Sequence, residues 1–222
     1  MNHPKAIVHL DRLARNYKIL SNSVNGKRLM AVVKANAYGH GSIECSKTLE
    51  DQGCDFFSVF TVEEAKELRN AGLKSDILIL SKLEKESIQT AIDNDLIVNI
   101  SSIDDLDSII FHLEKNGLSP RFHMKIETGM NRLGFDLSDI SIAIGKLLDY
   151  KNLNCEGIYT HYATSDEGDL SYAHLQLERF EQALEIANEM GYTFKYKHIS
   201  NSGGLLNELS SNTNLLRLGI LL

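Results

Sequence analysis

The feature that most constrains this chain is a rhythm. Eight apolar runs of strand length each lead into a segment whose apolar residues recur at helical spacing. The runs are RLMAVVKA (28–35), FFSVF (56–60), DILIL (76–80), LIVNI (96–100), RFHMKIE (121–127), CEGIYT (155–160), KYKHIS (195–200) and NLLRLGI (214–220). Between them, stretches such as SIECSKTLEDQG, SIDDLDSIIFHLEKNG and DLSYAHLQLERFEQALEIANEMG read as helices, with a short one near 201–209. Several open after Ser, Thr or Asp and stop at Gly, where side-chain capping and left-handed termination put helix ends. Alternating strand and helix is the pattern of a parallel sheet wrapped by helices. Eight units favour a closed (β/α)8 TIM barrel over a doubly wound open sheet. A further helix, LDRLARNYKILSN (10–22), is expected over the bottom or flank of the barrel. With two prolines and no Pro- or Ser-rich linker, residues 1–222 read as one domain.

Composition narrows the function. A chain of 222 residues can bury a full core, and 43% hydrophobic with 24% charged residues is ordinary for a soluble globular protein. The formal charge of -7, with no stripe of Lys and Arg, argues against nucleic acid as partner. Apolar runs fall short of the roughly 20 residues a membrane helix needs. The start MNHPKAIVHLDR lacks an apolar signal core, so a cytoplasmic protein without membrane attachment is expected. Cys45, Cys54 and Cys155 form no CxxC pair and read as buried thiols in a reducing compartment. The eight histidines give no HExxH or other tight ligand spacing, so no metal is expected.

In such a barrel, chemistry sits at the carboxyl ends of the strands. Lys34 ends the first strand within AVVKANAYGHG (31–41), ETGMNR (127–132) follows the fifth and His161 the sixth. Asn201 and Ser202 follow the seventh strand, and Arg217 with Gly219 ends the eighth. Plain structural alternatives exist for each: a lysine stem snorkelling to water, a tight turn at Gly129, a helix cap at Asn201 or Ser202, a hydrogen-bonded core histidine at 161. Arg217 is harder to dismiss, because a guanidinium inside an apolar strand must find acceptors. Five strand ends converging on one mouth favour a site. Glycines and backbone N–H groups after the last two strands suit a phosphate. A lysine opposite them suits Schiff-base chemistry with a phosphate-anchored aldehyde such as pyridoxal phosphate.

On these residues the whole chain resembles the N-terminal barrel of the alanine racemases. AVVKANAYGHG is similar to the family's cofactor-lysine signature, and KIETGMNRLG, THYATSDEGD, HISNSGG and LLRLGI match further blocks in the same order. The resemblance implies a pyridoxal 5'-phosphate-dependent isomerase interconverting L- and D-alanine, or serine, for peptidoglycan precursors. It implies that Lys34 holds the cofactor and serves as one of two bases. Tyr38, Ser202 and the backbone N–H groups of Gly219 and Ile220 would take the phosphate. His161 would border the pyridine ring, Arg217 would bond its nitrogen, and Asn201 would support that loop. Arg132 would face the phenolic oxygen and the substrate carboxylate. Lys125 matches a position often carbamylated, whose anionic form would hold Arg132. Because a guanidinium only donates, the ring nitrogen would accept and stay unprotonated, a weaker electron sink that favours reprotonation over transamination.

The family also carries a C-terminal β-domain, expected to be missing here, that supplies a tyrosine as second base across a homodimer. None of the eight tyrosines matches it. The expectation is therefore a racemase barrel with little turnover alone. A non-catalytic single-domain pyridoxal-phosphate carrier ranks second, and a metal or sugar-phosphate barrel lacks its ligand set.

Overall fold

All eight apolar runs form strands in the computed structural model, which describes residues 6–209 and 212–222. Residues 1–5, part of the start read as lacking a signal core, lie outside the described residues. The strands are β1 Arg28–Val32, β2 Phe56–Val59, β3 Asp76–Ile79, β4 Ile97–Ile100, β5 Arg121–Lys125, β6 Asn154–Tyr159, β7 Tyr196–His198 and β8 Leu215–Leu218. Every ladder is parallel, in the order β7-β6-β5-β4-β3-β2-β1-β8. The end strands meet through backbone bonds: Asn214 N donates to Lys197 O at 3.1 Å and Arg217 N to Ser200 O at 3.0 Å. The sheet therefore curls into a nearly closed (β/α)8 barrel rather than an open sheet. Helices cover the outside, which is why β2 and β4 are buried at every position. Helix ends obey their local chemistry. Ser102 caps helix Ile103–Asn116 by accepting from Asp105 N at 3.1 Å, and Gly117 ends it at φ 72°.

Period-two alternation fills the barrel in layers. At the floor, Arg121 pairs with Asp76, Glu156 and Asp95, and Arg28 with Asp55 and Asp76. Above them Met30, Phe56, Leu78, Ile97, Tyr196 and Leu215 make a dry plug. Two residues further along β2, β4, β7 and β8 stand the buried Ser58, Asn99, His198 and Arg217. The interior thus passes from ions to hydrocarbon to polar groups, and then opens.

One expectation is narrowed and one needs correction. Helix Leu10–Ser23 lies on the flank, beside the exit from β8, where Asn16 Nδ2 donates to Leu222 O at 2.8 Å. Lys34 does not end β1 but stands two residues past it, at the start of the turn Lys34–Gly39. There Ala35, Asn36, Ala37 and Tyr38 all adopt left-handed geometry, with φ of 52–54°. Each such residue costs about 1–2 kcal/mol. Local bonds hold the turn: Glu64 accepts from Ala35 N at 2.8 Å and Phe60 N at 2.7 Å, and Asn36 Oδ1 accepts from Ser42 N at 2.8 Å. An apolar pattern could not reveal a reversal of hand that rests on partners from another helix.

Candidate functional site

A cavity of about 630 Å³ opens at the carboxyl ends of the strands, a size suited to a small molecule. Lys34, Tyr38, Lys125, Arg132, His161, Asn201, Ser202, Arg217, Gly219 and Ile220 all line it. The sequence thus named residues from five strand ends, and the fold brings them round one space.

The cavity carries a surplus of positive charge. Lys34, Lys125, Arg132 and Arg217 make no ion pair among the described residues, where the pairs lie on the floor and the outer surface. Asp166 is the one carboxylate among the lining residues, against four cations, and Glu127, on the loop after β5, is committed to that loop, accepting from Gly129 N and, at 3.2 Å, from Arg132 N. Burial pushes the Glu127 carboxyl up, but the backbone N–H groups of residues 129–132 outweigh it and hold the group below its ordinary value. Burial, then Arg132 and Arg217, draw the 4% exposed Lys125 amine down to about 8. Lys34 is also lowered, first by burial and then by Arg132, against an opposing pull from Glu64. An amine so biased is a better nucleophile toward an aldehyde.

Arg217 finds the acceptors it needed, and none is a carboxylate. Nη2 donates to Thr160 O at 2.8 Å and Ile199 O at 3.1 Å and lies 3.2 Å from His161 Nδ1, while Nη1 lies 2.8 Å from His198 Nδ1. Burial pulls its pKa down to about 10. Since the guanidinium only donates, Nδ1 of His161 accepts and its proton stands on Nε2. Burial followed by Arg217 takes the His161 pKa down to about 3, so the ring is neutral.

The loops after β7 and β8 come close to Tyr38. A Cβ placed on Gly219 would fall 2.7 Å from the Tyr38 hydroxyl, and one on Gly203 would fall 2.8 Å from Ser165 Oγ. Asn201 does the plain structural task, capping helix Ser202–Leu206 through Gly204 N at 2.9 Å while accepting from Ser165 Oγ at 2.7 Å. It shapes the loop that presents Ser202. An anion-seeking, glycine-edged cavity with a nucleophilic amine fits an aldehyde that carries a phosphate.

Sequence reasoning missed several groups. Tyr159 lines the cavity, donates to Asn99 Oδ1 at 2.9 Å, and stacks on His198 with centroids 4.7 Å apart. Counting back two from His161 along β6 would have found it. A second group lies outside the barrel, on helix Ser171–Glu189. Buried Gln176 accepts from Ala163 N at 2.8 Å and donates to His161 O at 3.0 Å. Tyr172 OH donates to Gly129 O at 2.8 Å, and Arg179 Nη1 to Thr128 O at 3.0 Å. Positions 172, 176 and 179 share one helix face and clamp the loops that carry Arg132 and His161. Their helical spacing was visible in the sequence, but not what the face met.

Fold and site together define a (β/α)8 barrel with a cation-rich cavity of small-molecule size at the carboxyl ends of its strands. A family model described as alanine racemase, N-terminal domain, matches residues 8–222. The chain belongs to that family. It is 37% identical over 225 residues to an alanine racemase of Methanococcus maripaludis, covering 100% of this chain and 60% of that protein. It is 38% identical to one of Fusobacterium nucleatum, covering 96% and 59%. Among solved structures, alanine racemase from E. faecalis matches with a TM-score of 0.89 at 33% identity, covering 96% of this chain and 57% of that one. Alanine racemase from Bacillus anthracis with bound L-Ala-P also gives 0.89, at 29% identity, covering 98% and 58%. The chain therefore spans about three fifths of the length of these relatives.

Proposed function

We propose that this barrel is the cofactor-holding part of a racemase that interconverts the enantiomers of alanine with pyridoxal 5'-phosphate, feeding peptidoglycan precursors. When bound, that group supplies an aldehyde and an electron-withdrawing ring that acidify the α-hydrogen of an attached amino acid. The observation that carries the proposal is the grouping of Lys34, Lys125, Arg132 and Arg217 round one cavity with no ion pair among the described residues.

Lys34 would hold the aldehyde and move the α-proton on one face of the substrate. Tyr38, Ser202 and the backbone at Gly219 and Ile220 would seat the phosphate. Arg217 would donate to the ring nitrogen and keep it unprotonated, with His161 bordering the ring. Exposed Arg132 would meet the substrate carboxylate at the mouth. Lys125, whose ammonium loses its proton readily at a pKa of about 8, would as the free amine add carbon dioxide and release a second proton, so that a buried cation is replaced by a carbamate anion facing Arg132. Racemisation also needs an acid or base on the opposite face. The cavity tyrosines have other tasks, Tyr159 donating to Asn99 Oδ1 and Tyr38 assigned above to the phosphate. The second group is proposed to come from the additional length that the relatives possess, across a homodimer.

The protein is expected to turn yellow with pyridoxal phosphate, and borohydride trapping with peptide mapping should place the adduct on Lys34. An adduct on another lysine would overturn the assignment. Incubation with each alanine enantiomer in deuterium oxide should show exchange of one only. Equal exchange of both would mean that a second base already lies within residues 1–222.

A further inference from the structure

Beneath the cavity, a guanidinium and two imidazoles form a chain whose proton order is forced. Arg217 can only donate, so Nδ1 of His198, 2.8 Å away, must accept and the His198 proton stands on Nε2. That Nε2 lies 2.9 Å from Nδ1 of His123, which must accept in turn, so the His123 proton also stands on Nε2. The chain stops there, because His123 Nε2 is buried without a hydrogen-bond partner among the described residues. A buried orphan donor is destabilising, and a native structure that keeps one needs a reason.

The surroundings are shaped for the pair. Both rings are 0% exposed. Gly157 faces His123 across the β5–β6 ladder, and a Cβ there would fall 2.8 Å from the imidazole. Tyr159 stacks on His198, and Phe56 and Tyr196 pack against His123. The charged groups acting on the pair are cations. Burial and then Arg121, Arg217 and Lys195 push His123 down to about 3, and burial, Arg217 and His123 push His198 well below its ordinary value. Neither ring offers Arg217 a negative charge. Of its five N–H groups, Nε–H and one on Nη1 have no acceptor among the described residues.

We propose that His198, ordered by His123, is a positioning residue for Arg217: the neutral pair fixes the guanidinium from below and leaves its unused N–H groups and its whole charge for an acceptor on the bound ligand. The identity of that ligand rests on the function proposed above; the proton order is a property of the chain alone. A carboxylate at position 198 would hold Arg217 equally well but would neutralise it. Two neutral imidazoles hold it and do not.

The test begins with cofactor-free protein carrying 15N-labelled histidine, read by long-range proton–nitrogen correlation. Both rings are expected as neutral Nε2–H tautomers that do not titrate between about pH 5.5 and 8.5, where a free histidine would. A proton on His198 Nδ1, or an imidazolium at either ring in that range, overturns the proposal. The second arm measures pyridoxal-phosphate affinity by absorbance. His198→Leu, which has no acceptor, should bind about tenfold more weakly, while His198→Asn, whose carbonyl can replace Nδ1, should stay within about threefold of the native protein. Equal losses in both variants, or none in the leucine variant, also overturn it. If the leucine variant fails to fold, the tautomers of the native protein decide. Failure of the native protein to bind pyridoxal phosphate at all would sink the proposed function while leaving the tautomer result to judge this one.

Discussion

Lys125 shows how one buried amine links stability to chemistry. Its pKa falls from the ordinary 10.5 to about 8, chiefly through burial. Between those values the unfolded chain binds more protons than the folded one, so stability rises with pH across that window. Below about pH 8 the cost is fully present. Lys125→Met should remove the slope and stabilise the protein at pH 7 by about 1–3 kcal/mol, as read from urea unfolding at pH 7 and pH 10. Bicarbonate should stabilise the native protein and leave the variant unchanged; a variant that responds equally would refute carbamylation at this lysine. The left-handed turn offers a second test at this scale. In an ordinary helix Ala→Gly destabilises by about 1 kcal/mol. At exposed Ala35, with φ 52°, Ala35→Gly should instead stabilise by a similar amount in thermal or urea unfolding.

The helix Ser171–Glu189 acts on the site without touching the cavity. Its Tyr172, Gln176 and Arg179 bond mostly backbone groups, so they set where two loops run whatever side chains those loops carry. Gln176→Leu would strip Ala163 N and His161 O of their partner at part-buried positions, a loss of about 1 kcal/mol for each bond. Hydrogen exchange should quicken in residues 128–133 and 161–164 and stay unchanged in β1 and β2. Gly129 is where clamp and loop meet most tightly, with φ 137° and a would-be Cβ only 2.5 Å from Tyr172 OH. Gly129→Ala should therefore destabilise, and adding Tyr172→Ala should recover only part of the loss, because the backbone strain remains.

Across the whole molecule, the two ends of the barrel do different work. The floor is an ion network round Arg121, whose side chain is 19% exposed and whose partners Asp76 and Glu156 are 21% and 14% exposed. Removing Arg121 leaves Glu156 without its ion-pair partner in a poorly solvated place and Asp76 with Arg28 alone, at 3.5 Å. Arg121→Met should cost about 2–3 kcal/mol in unfolding free energy and leave pyridoxal-phosphate affinity unchanged, because the apolar plug separates the floor from the cavity. A parallel loss of affinity would show that the plug does not insulate the site.

The sequence by itself determined the eight strands, the wrapping helices and all ten expected cavity residues. The strands and helices follow from period-two and period-3.6 burial, and Lys34, Arg132, His161, Asn201, Ser202, Arg217 and Gly219 from their places at strand ends, whereas Tyr38, Lys125 and Ile220 came from the resemblance to the family. Arg217 is the clearest case, since a cation in an apolar strand announces that acceptors must exist. Only the tertiary structure decided which acceptors they were. The pairing of His198 with His123, the loop clamp from helix Ser171–Glu189 and the reversed turn after β1 all join residues distant in the chain. Local pattern reports which face of an element is buried; what that face meets depends on barrel closure, and the proton order under the cavity exists only once three strands have been brought together.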